Sequence, residues 1–272
     1  MSAKILSGKK VAEKILADLK SRLRRLKSKG ITPGLAVILV GDDPASIKYV
    51  QKKQKMAENL GIDFHLYEML PTVKEYQLIK LIRDLNQSKA IQGILVQLPL
   101  PKNLSIQKIL DSINPKKDID GLGSKSFYCS ATATGIIKIL EFYRIPIKNK
   151  QTVILGKGIL VGQPLAKIMS QKGAKVENLD IKTFNVEKIR TADILVAATG
   201  QSDLIKAEMV KKGAVVIDCG APNSEVDFNK VKKKAKAITP VPGGVGPVTV
   251  VNLFANLIQA VEKYNINLNL NT

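Results

Sequence analysis

The sequence predicts an α/β protein of two domains, each a parallel sheet covered by helices. Three observations lead there. Short, continuously apolar runs such as residues 35–40 alternate with stretches of helical period. The alternation occurs twice, on either side of a division near residues 120–135. A chain of 272 residues, 45% of hydrophobic type, is long and apolar enough for two packed cores.

Taken in order, residues 8–28 read as a helix, with Val11, Ile15, Leu19, Leu23 and Leu26 on one stripe and Gly30 and Pro33 ending it. Residues 35–40 form a strand apolar on both faces. Asp42 to Ser46 supply a turn with N-cap chemistry, opening a helix to about Leu60. A strand over 62–70, a helix over 73–85 and a strand over 91–98 complete the first unit. Residues 103–132 read as irregular apart from a short helix over 106–113, and 136–143 as helical. The second alternation comprises strands at 152–155, 175–179, 194–197 and 215–218, with helices over 164–172 and near 207–211. A last helix spans about 250–263. The expected division is residues 1–130 plus 250–272 for one domain and 131–249 for the other.

The charge excludes less than it suggests. Lys and Arg number 43 against 23 Asp and Glu, a net +20, which calls for anionic partners such as phosphates and carboxylates. The densest basic cluster, Lys20 to Lys27, keeps leucines at helical spacing and reads as a solvated helix face. No basic strand is interleaved with aromatics and Trp is absent, so nucleic acid is not the expected partner. No apolar run approaches the roughly 20 residues of a membrane span, and no signal-peptide core opens the chain. Cys129 and Cys219 lie 90 positions apart with a single histidine in the chain, so no metal site is expected and a cytoplasmic location fits.

The clearest local motif runs from Val153 to Pro164: a buried strand, a turn with Gly156, Gly158 and Gly162, and a helix with proline in its first turn. Glycines here let backbone approach a pyrophosphate held on free N–H groups, which is the logic of a Rossmann-like dinucleotide site. The spacing has one residue more than G-x-G-x-x-G, and a purely structural turn is the alternative. Lys157 beside the turn could pair a 2′-phosphate. Asp180, 22 residues after Gly158, could instead bind a free ribose hydroxyl. Both NADP and NAD therefore stay open.

In the first unit, Tyr49 and Lys53 stand four apart, one turn from each other on a helix. A partly desolvated lysine can have its pKa lowered into the range useful for proton transfer, although a solvated lysine is the commoner case. The strand Gly93 to Val96 ends in Gln97 and a double Leu-Pro turn, at the sheet edge where ligands bind. Lys117-Asp118-Ile119-Asp120-Gly121 supplies carboxylates, and 238–249 is so dense in Pro and Gly that its backbone must approach something closely.

In this order the segments resemble the bifunctional methylenetetrahydrofolate dehydrogenase/methenyltetrahydrofolate cyclohydrolase family over nearly the whole chain. They are Tyr49-Val50-x-x-Lys53, Gly93 to Pro101, Lys117 to Gly121, Gly156 to Pro164, and Thr239 to Thr249. The resemblance implies an N-terminal catalytic domain and a C-terminal Rossmann-like domain. It implies oxidation of 5,10-methylenetetrahydrofolate with NADP or NAD, then hydrolysis of the methenyl cation to 10-formyltetrahydrofolate. A relative keeping only one activity is the alternative. Lys53 would be the general acid/base, Gln97 would orient it, Tyr49 would stack on the folate, and Asp120 would hold the pterin. Leu98, Pro242, Gly243 and Gly244 would line the folate. Thr132, Gly156, Lys157, Gly158, Val161, Gly162, Pro164, Asp180, Thr199, Gly220 and Thr249 would hold the cofactor. Tetrahydrofolate derivatives are the implied partners, in a homodimer.

The chain departs from the family pattern at four places. Pro-Cys-Thr-Pro is Ser130-Ala131-Thr132-Ala133, and the stretch from Gly121 to Thr132 is shortened. The Gly-Arg-Ser turn is Gly156-Lys157-Gly158, and the usual His-Ser after the next strand is Asp180-Ile181. The last two bear directly on the choice of dinucleotide.

Overall fold

The structure, a computed structural model, describes residues 2–269, with side chains to residue 263. Residues 1 and 270–272 of the expected domain ranges lie outside it. In chain order the elements are β1 (Lys4–Ile5), α1 (Gly8–Lys27), β2 (Gly34–Val40), α2 (Pro44–Leu60), β3 (Asp63–Met69), α3 (Glu75–Gln87), β4 (Gly93–Val96), α4 (Ile106–Asp111) and α5 (Ala131–Phe142). They continue with β5 (Gln151–Leu155), α6 (Gly162–Gln171), β6 (Lys175–Leu179), α7 (Val186–Thr191), β7 (Ile194–Ala197), β8 (Val215–Asp218), α8 (Phe228–Val231), β9 (Ala237–Ile238) and α9 (Val245–Asn269).

The chain divides into two compact units. An N-terminal unit comprises Leu16–Ala131 with Leu253–Thr272, and a central unit comprises Met1–Ile15 with Thr132–Asn252. The first fifteen residues were expected with the N-terminal domain. They group instead with the central unit because β1 pairs in parallel with β9, Lys4 opposite Ala237 and Ile5 opposite Ile238.

The N-terminal unit carries a three-stranded parallel sheet in the order β3-β2-β4. β2 is central, and all seven of its residues are buried, which explains its unbroken apolar run. β3 lies at the edge, and its residues are exposed or half-buried, none of them fully buried. Beyond β4 a single parallel bridge joins Ile94 to Asp118, and Ile94 N–H donates to Lys117 C=O at 2.8 Å. Lys117 anchors the segment further by donating to the carbonyls of Leu85 and Ser88 at 3.1 and 2.7 Å, at the C-terminal end of α3. The carboxylates of Asp118 and Asp120 are thereby held beside β4.

The central unit carries a six-stranded parallel sheet, β1-β9-β8-β7-β5-β6. Successive strand residues pack on opposite faces: Ile154, Ile194 and Val196 on one, Val153, Leu155, Leu195 and Ala197 on the other. The chain order reverses around β5, which has β6 on one side and β7 on the other. In open α/β sheets a ligand crevice forms at such a switch point, outside the carboxyl ends of the strands.

Several expectations need correction. The helix expected near 207–211 is only a 3-10 turn, Ala207–Met209. The last helix starts at Val245 rather than 250, since Gly246 and Pro247 fall in its first turn, where proline's missing N–H costs nothing. Likewise α5 begins at Ala131, five residues before its expected start. Finally, Val245–Lys263 is long and apolar enough by length and composition to cross a membrane, contrary to the sequence reading. Among its side chains Val248, Val251, Leu253, Phe254, Leu257, Ile258 and Val261 are buried in protein, as in the core helix of a globular fold.

Candidate active site

In the N-terminal unit, α2 begins at Asp43, whose Oδ2 accepts the Ser46 N–H at 2.8 Å, and ends at Gly61 in the left-handed conformation. Its buried stripe is Ser46, Val50, Lys53, Ala57 and Leu60. Lys53 therefore occupies a core-facing position and is only 8% exposed. Its Nζ donates to Gln97 Oε1 at 2.7 Å. Gln97, directly after β4, donates its own amide N–H to the Leu98 carbonyl at 2.6 Å, which fixes which end of the amide faces the lysine. The Leu98–Pro99 bond is cis.

Burial lowers the Lys53 pKa, opposed by the nearby Asp120 carboxylate. Asp120 is pushed up to about 6 by burial; the Lys53 ammonium pulls it back, and the Asp118 carboxylate raises it further. Asp118 is buried and also raised, while it accepts the N–H groups of Gly121 and Gly123 at 3.2 and 2.8 Å. Tyr49 is half-buried, one turn before Lys53, with the Lys52 ammonium 5.4 Å from its ring centre. Ser46 Oγ, on the buried stripe, has no hydrogen-bond partner among the described residues. The structure thus joins Lys53, Gln97 and Asp120 into one electrostatic cluster, with Tyr49 adjacent on α2. A lysine and a carboxylate with pKa values displaced toward each other can exchange protons near neutrality. A separate cavity of about 530 Å³, lined by Lys20, Arg24, Lys27 and Asn59 among others, contains none of these groups.

The central unit presents its predicted residues along the carboxyl edge of the sheet. After β5, Gly156 adopts φ 110°, and a Cβ there would lie 2.1 Å from the Ala198 carbonyl oxygen. A Cβ on Gly162 would lie 1.7 Å from the Gly156 oxygen, so the start of α6 packs directly on the turn. Around Gly158, by contrast, a Cβ would meet nothing within 4 Å. Two of the glycines serve the fold, and the third leaves open space. Gln163 N–H donates to the Gly158 carbonyl at 3.2 Å and its side chain to the Lys157 carbonyl at 2.9 Å. Val161 is half-buried and accepts from Leu165 N–H at 2.9 Å, and Pro164 sits in the first turn of α6. Asp180 follows β6, and Lys157 is near enough to lower its pKa.

At the next strand ends, Thr199 is held by Glu225, whose Oε2 accepts both its N–H and its hydroxyl at 2.7 Å. Gly220 N–H donates to Asp218 Oδ1 at 2.8 Å. Thr132 and Thr249 are half-buried at the starts of α5 and α9, and Thr249 Oγ1 donates to the Val245 carbonyl at 3.3 Å. Sequence reasoning missed Glu225 and Asp218, both buried and shaping these strand ends. Asp218 closes an apolar strand and could have been noticed; Glu225 stands in a turn with no local signal. Pro242, Gly243 and Gly244 belong to the central unit, and the Val241–Pro242 bond is cis. What the Pro- and Gly-rich segment approaches is the first turn of α1: Gly243 C=O accepts the Gly8 N–H at 2.9 Å, and a Cβ on Gly8 would lie 1.7 Å from the Gly244 oxygen. The glycine turn, the free space at Gly158 and the switch point all fit a dinucleotide.

Comparison with known proteins agrees with both halves. Residues 6–120 match the tetrahydrofolate dehydrogenase/cyclohydrolase catalytic domain, and residues 130–265 match the NAD(P)-binding domain of the same family. The chain is 43% identical over 278 residues to the bifunctional protein FolD of Lactobacillus helveticus, covering 96% of this chain and 99% of that one. Its fold superimposes on the bifunctional methylenetetrahydrofolate dehydrogenase/cyclohydrolase of Campylobacter jejuni with a TM-score of 0.92, at 38% identity, covering 97% of this chain and 100% of that one. The Trypanosoma brucei enzyme, solved with NADP and an inhibitor, gives 0.93 at 31% identity, covering 97% and 99% of the two chains. The chain belongs to the tetrahydrofolate dehydrogenase/cyclohydrolase family, with a catalytic domain and an NAD(P)-binding domain.

Proposed function

We propose that this chain oxidises 5,10-methylenetetrahydrofolate to the methenyl form and then hydrolyses the methenyl form to 10-formyltetrahydrofolate. The observation that carries the reading is Lys53, buried on α2, bonded to Gln97 and coupled to Asp120. The glycine turn from Gly156 to Gly162 would hold a nicotinamide dinucleotide, which would supply the hydride acceptor for the methylene carbon. In the second step the Lys53 amine takes a proton from water as its oxygen bonds to the methenyl carbon. The ammonium then returns a proton to the ring nitrogen as the carbon–nitrogen bond breaks, and one proton is released overall. A lowered pKa suits the amine to both roles. Gln97 holds Nζ in place, Tyr49 offers a ring for the pterin to stack on, and the Asp120 carboxylate accepts a pair of hydrogen bonds from pterin nitrogens. Leu98, in the same unit as Lys53, completes the folate surroundings in this reading.

The reading extends to a homodimer in the cytoplasm. The family resemblance supports the dimer, and the unpaired Cys129 and Cys219 suit a reducing compartment. Sedimentation velocity tests the dimer. Activity is tested by following absorbance with the methylene substrate plus NAD or NADP, and separately with the methenyl substrate alone. Reduction of a dinucleotide and loss of the methenyl compound are both expected. Failure of one step with the other intact identifies a single-activity relative, and failure of both removes the reading.

A further inference from the structure

The residues that follow β5 and β6 stand side by side. The register pairs Leu155 with Leu179, and Gly156 N–H donates to the Leu179 carbonyl at 2.6 Å. The side chain next to the glycine turn on that edge is therefore Asp180, 22 residues beyond Gly158. In a dinucleotide fold this place faces the adenosine ribose.

We infer that Asp180 makes this site select NAD over NADP; the inference rests on the dinucleotide half of the proposed function. The loop is closed on itself. Asp180 N–H donates to Thr183 Oγ1 at 2.9 Å, and the Thr183 N–H and hydroxyl donate to Asp180 Oδ1 at 2.9 and 3.0 Å. These three donors are already engaged within the loop, and the exposed Lys182 side chain is a further one that it carries. What the loop presents outward is a carboxylate, kept ionised by the Thr183 hydrogen bonds and the neighbouring Lys157 charge. A carboxylate offers about four acceptor sites, so capacity remains for a ribose hydroxyl. A phosphate dianion in the same place meets a like charge. Lys157 is the opposing feature. It is exposed, and its charge is already partly balanced by Asp180, so it does not offer a phosphate an unopposed cation.

The test is equilibrium titration with NADH and NADPH, read by nicotinamide fluorescence, which is unobstructed in a chain with no tryptophan. NADH should bind about tenfold or more tighter than NADPH. Asp180→Asn keeps the Oδ1 acceptor for Thr183 and removes the charge, so it should narrow the ratio about tenfold, chiefly by tightening NADPH. Lys157→Ala should leave NADH preferred. Tighter NADPH binding by the native chain, or an unchanged ratio in a folded Asp180→Asn variant, overturns the inference while leaving the dinucleotide reading intact. Binding of neither dinucleotide removes both. A collapse of NADPH binding in Lys157→Ala, with NADPH preferred beforehand, assigns selection to the lysine instead and overturns the role of Asp180.

Discussion

Lys53 Nζ donates to Gln97 Oε1 at 2.7 Å, and both side chains are buried although 44 positions separate them. Burial favours the amine and the Asp120 carboxylate opposes it; a neutral acceptor such as the Gln97 carbonyl bonds the ammonium more strongly than the amine. Gln97→Leu removes the acceptor and should lower the Lys53 pKa further. The rising limb of the hydrolysis rate against pH should then move down by about one unit, since a hydrogen bond to a charged group is worth about 1.5–3 kcal/mol. A profile reduced in height but not displaced would show that Gln97 does not tune the lysine.

Lys53→Met keeps most of the length of the side chain and removes the proton carrier. Hydrolysis of the methenyl substrate should fall by about 10²–10⁴-fold, the usual worth of a positioned acid/base group. NADH affinity should be unchanged, because the dinucleotide residues belong to the central unit. Retention of more than about a tenth of the hydrolysis rate would assign proton transfer elsewhere.

Asp120 makes a stability prediction with a definite sign. Its folded pKa is about 6 against an ordinary 3.8, so the folded chain holds this proton more tightly than the unfolded chain. The resulting stabilisation is fully present below the ordinary value and is lost as pH rises through about 6. Asp120→Asn should therefore melt a few degrees above the native protein at about pH 8, with the gap closing toward about pH 4. Folate binding by the native protein should weaken as pH falls through about 6, when the carboxylate protonates. A constant melting difference across this range would contradict the burial argument.

The three glycines of the turn should separate cleanly. Gly162→Ala forces a Cβ to within 1.7 Å of the Gly156 oxygen and should lower both melting temperature and NADH affinity. Gly158→Ala meets no neighbour within 4 Å, so it should melt like the native chain and lose NADH affinity only. If Gly158→Ala binds NADH normally, no ligand approaches that backbone closely.

Much of this was legible beforehand, and the misses have local causes. The stripe Val50, Ala57, Leu60 is visible in the helical period of α2, and Lys53 falls on it. The seven-residue run of β2 announces a strand covered on both sides. In contrast, β1 and β9 are two residues each, too short for any period, and only pairing makes them strands, β9 against β8 and β1 against β9. That pairing moved the first fifteen residues from one unit to the other. Glu225 was invisible for a related reason, as its partners Thr199 and Gly200 lie 26 and 25 positions away.

By itself the sequence determined where the chain turns and where it is apolar, because glycine conformation, proline geometry and side-chain period act within a few residues. It thereby placed the turn at Gly156, the helix bearing Tyr49 and Lys53, and the strand ending at Gln97. Tertiary structure alone decided what those side chains are chemically. The bridge from Ile94 to Asp118 brings Asp120 near a lysine 67 positions earlier, and desolvation then drives the two pKa values toward each other. Desolvation belongs to an assembled core, and no stretch of sequence carries it.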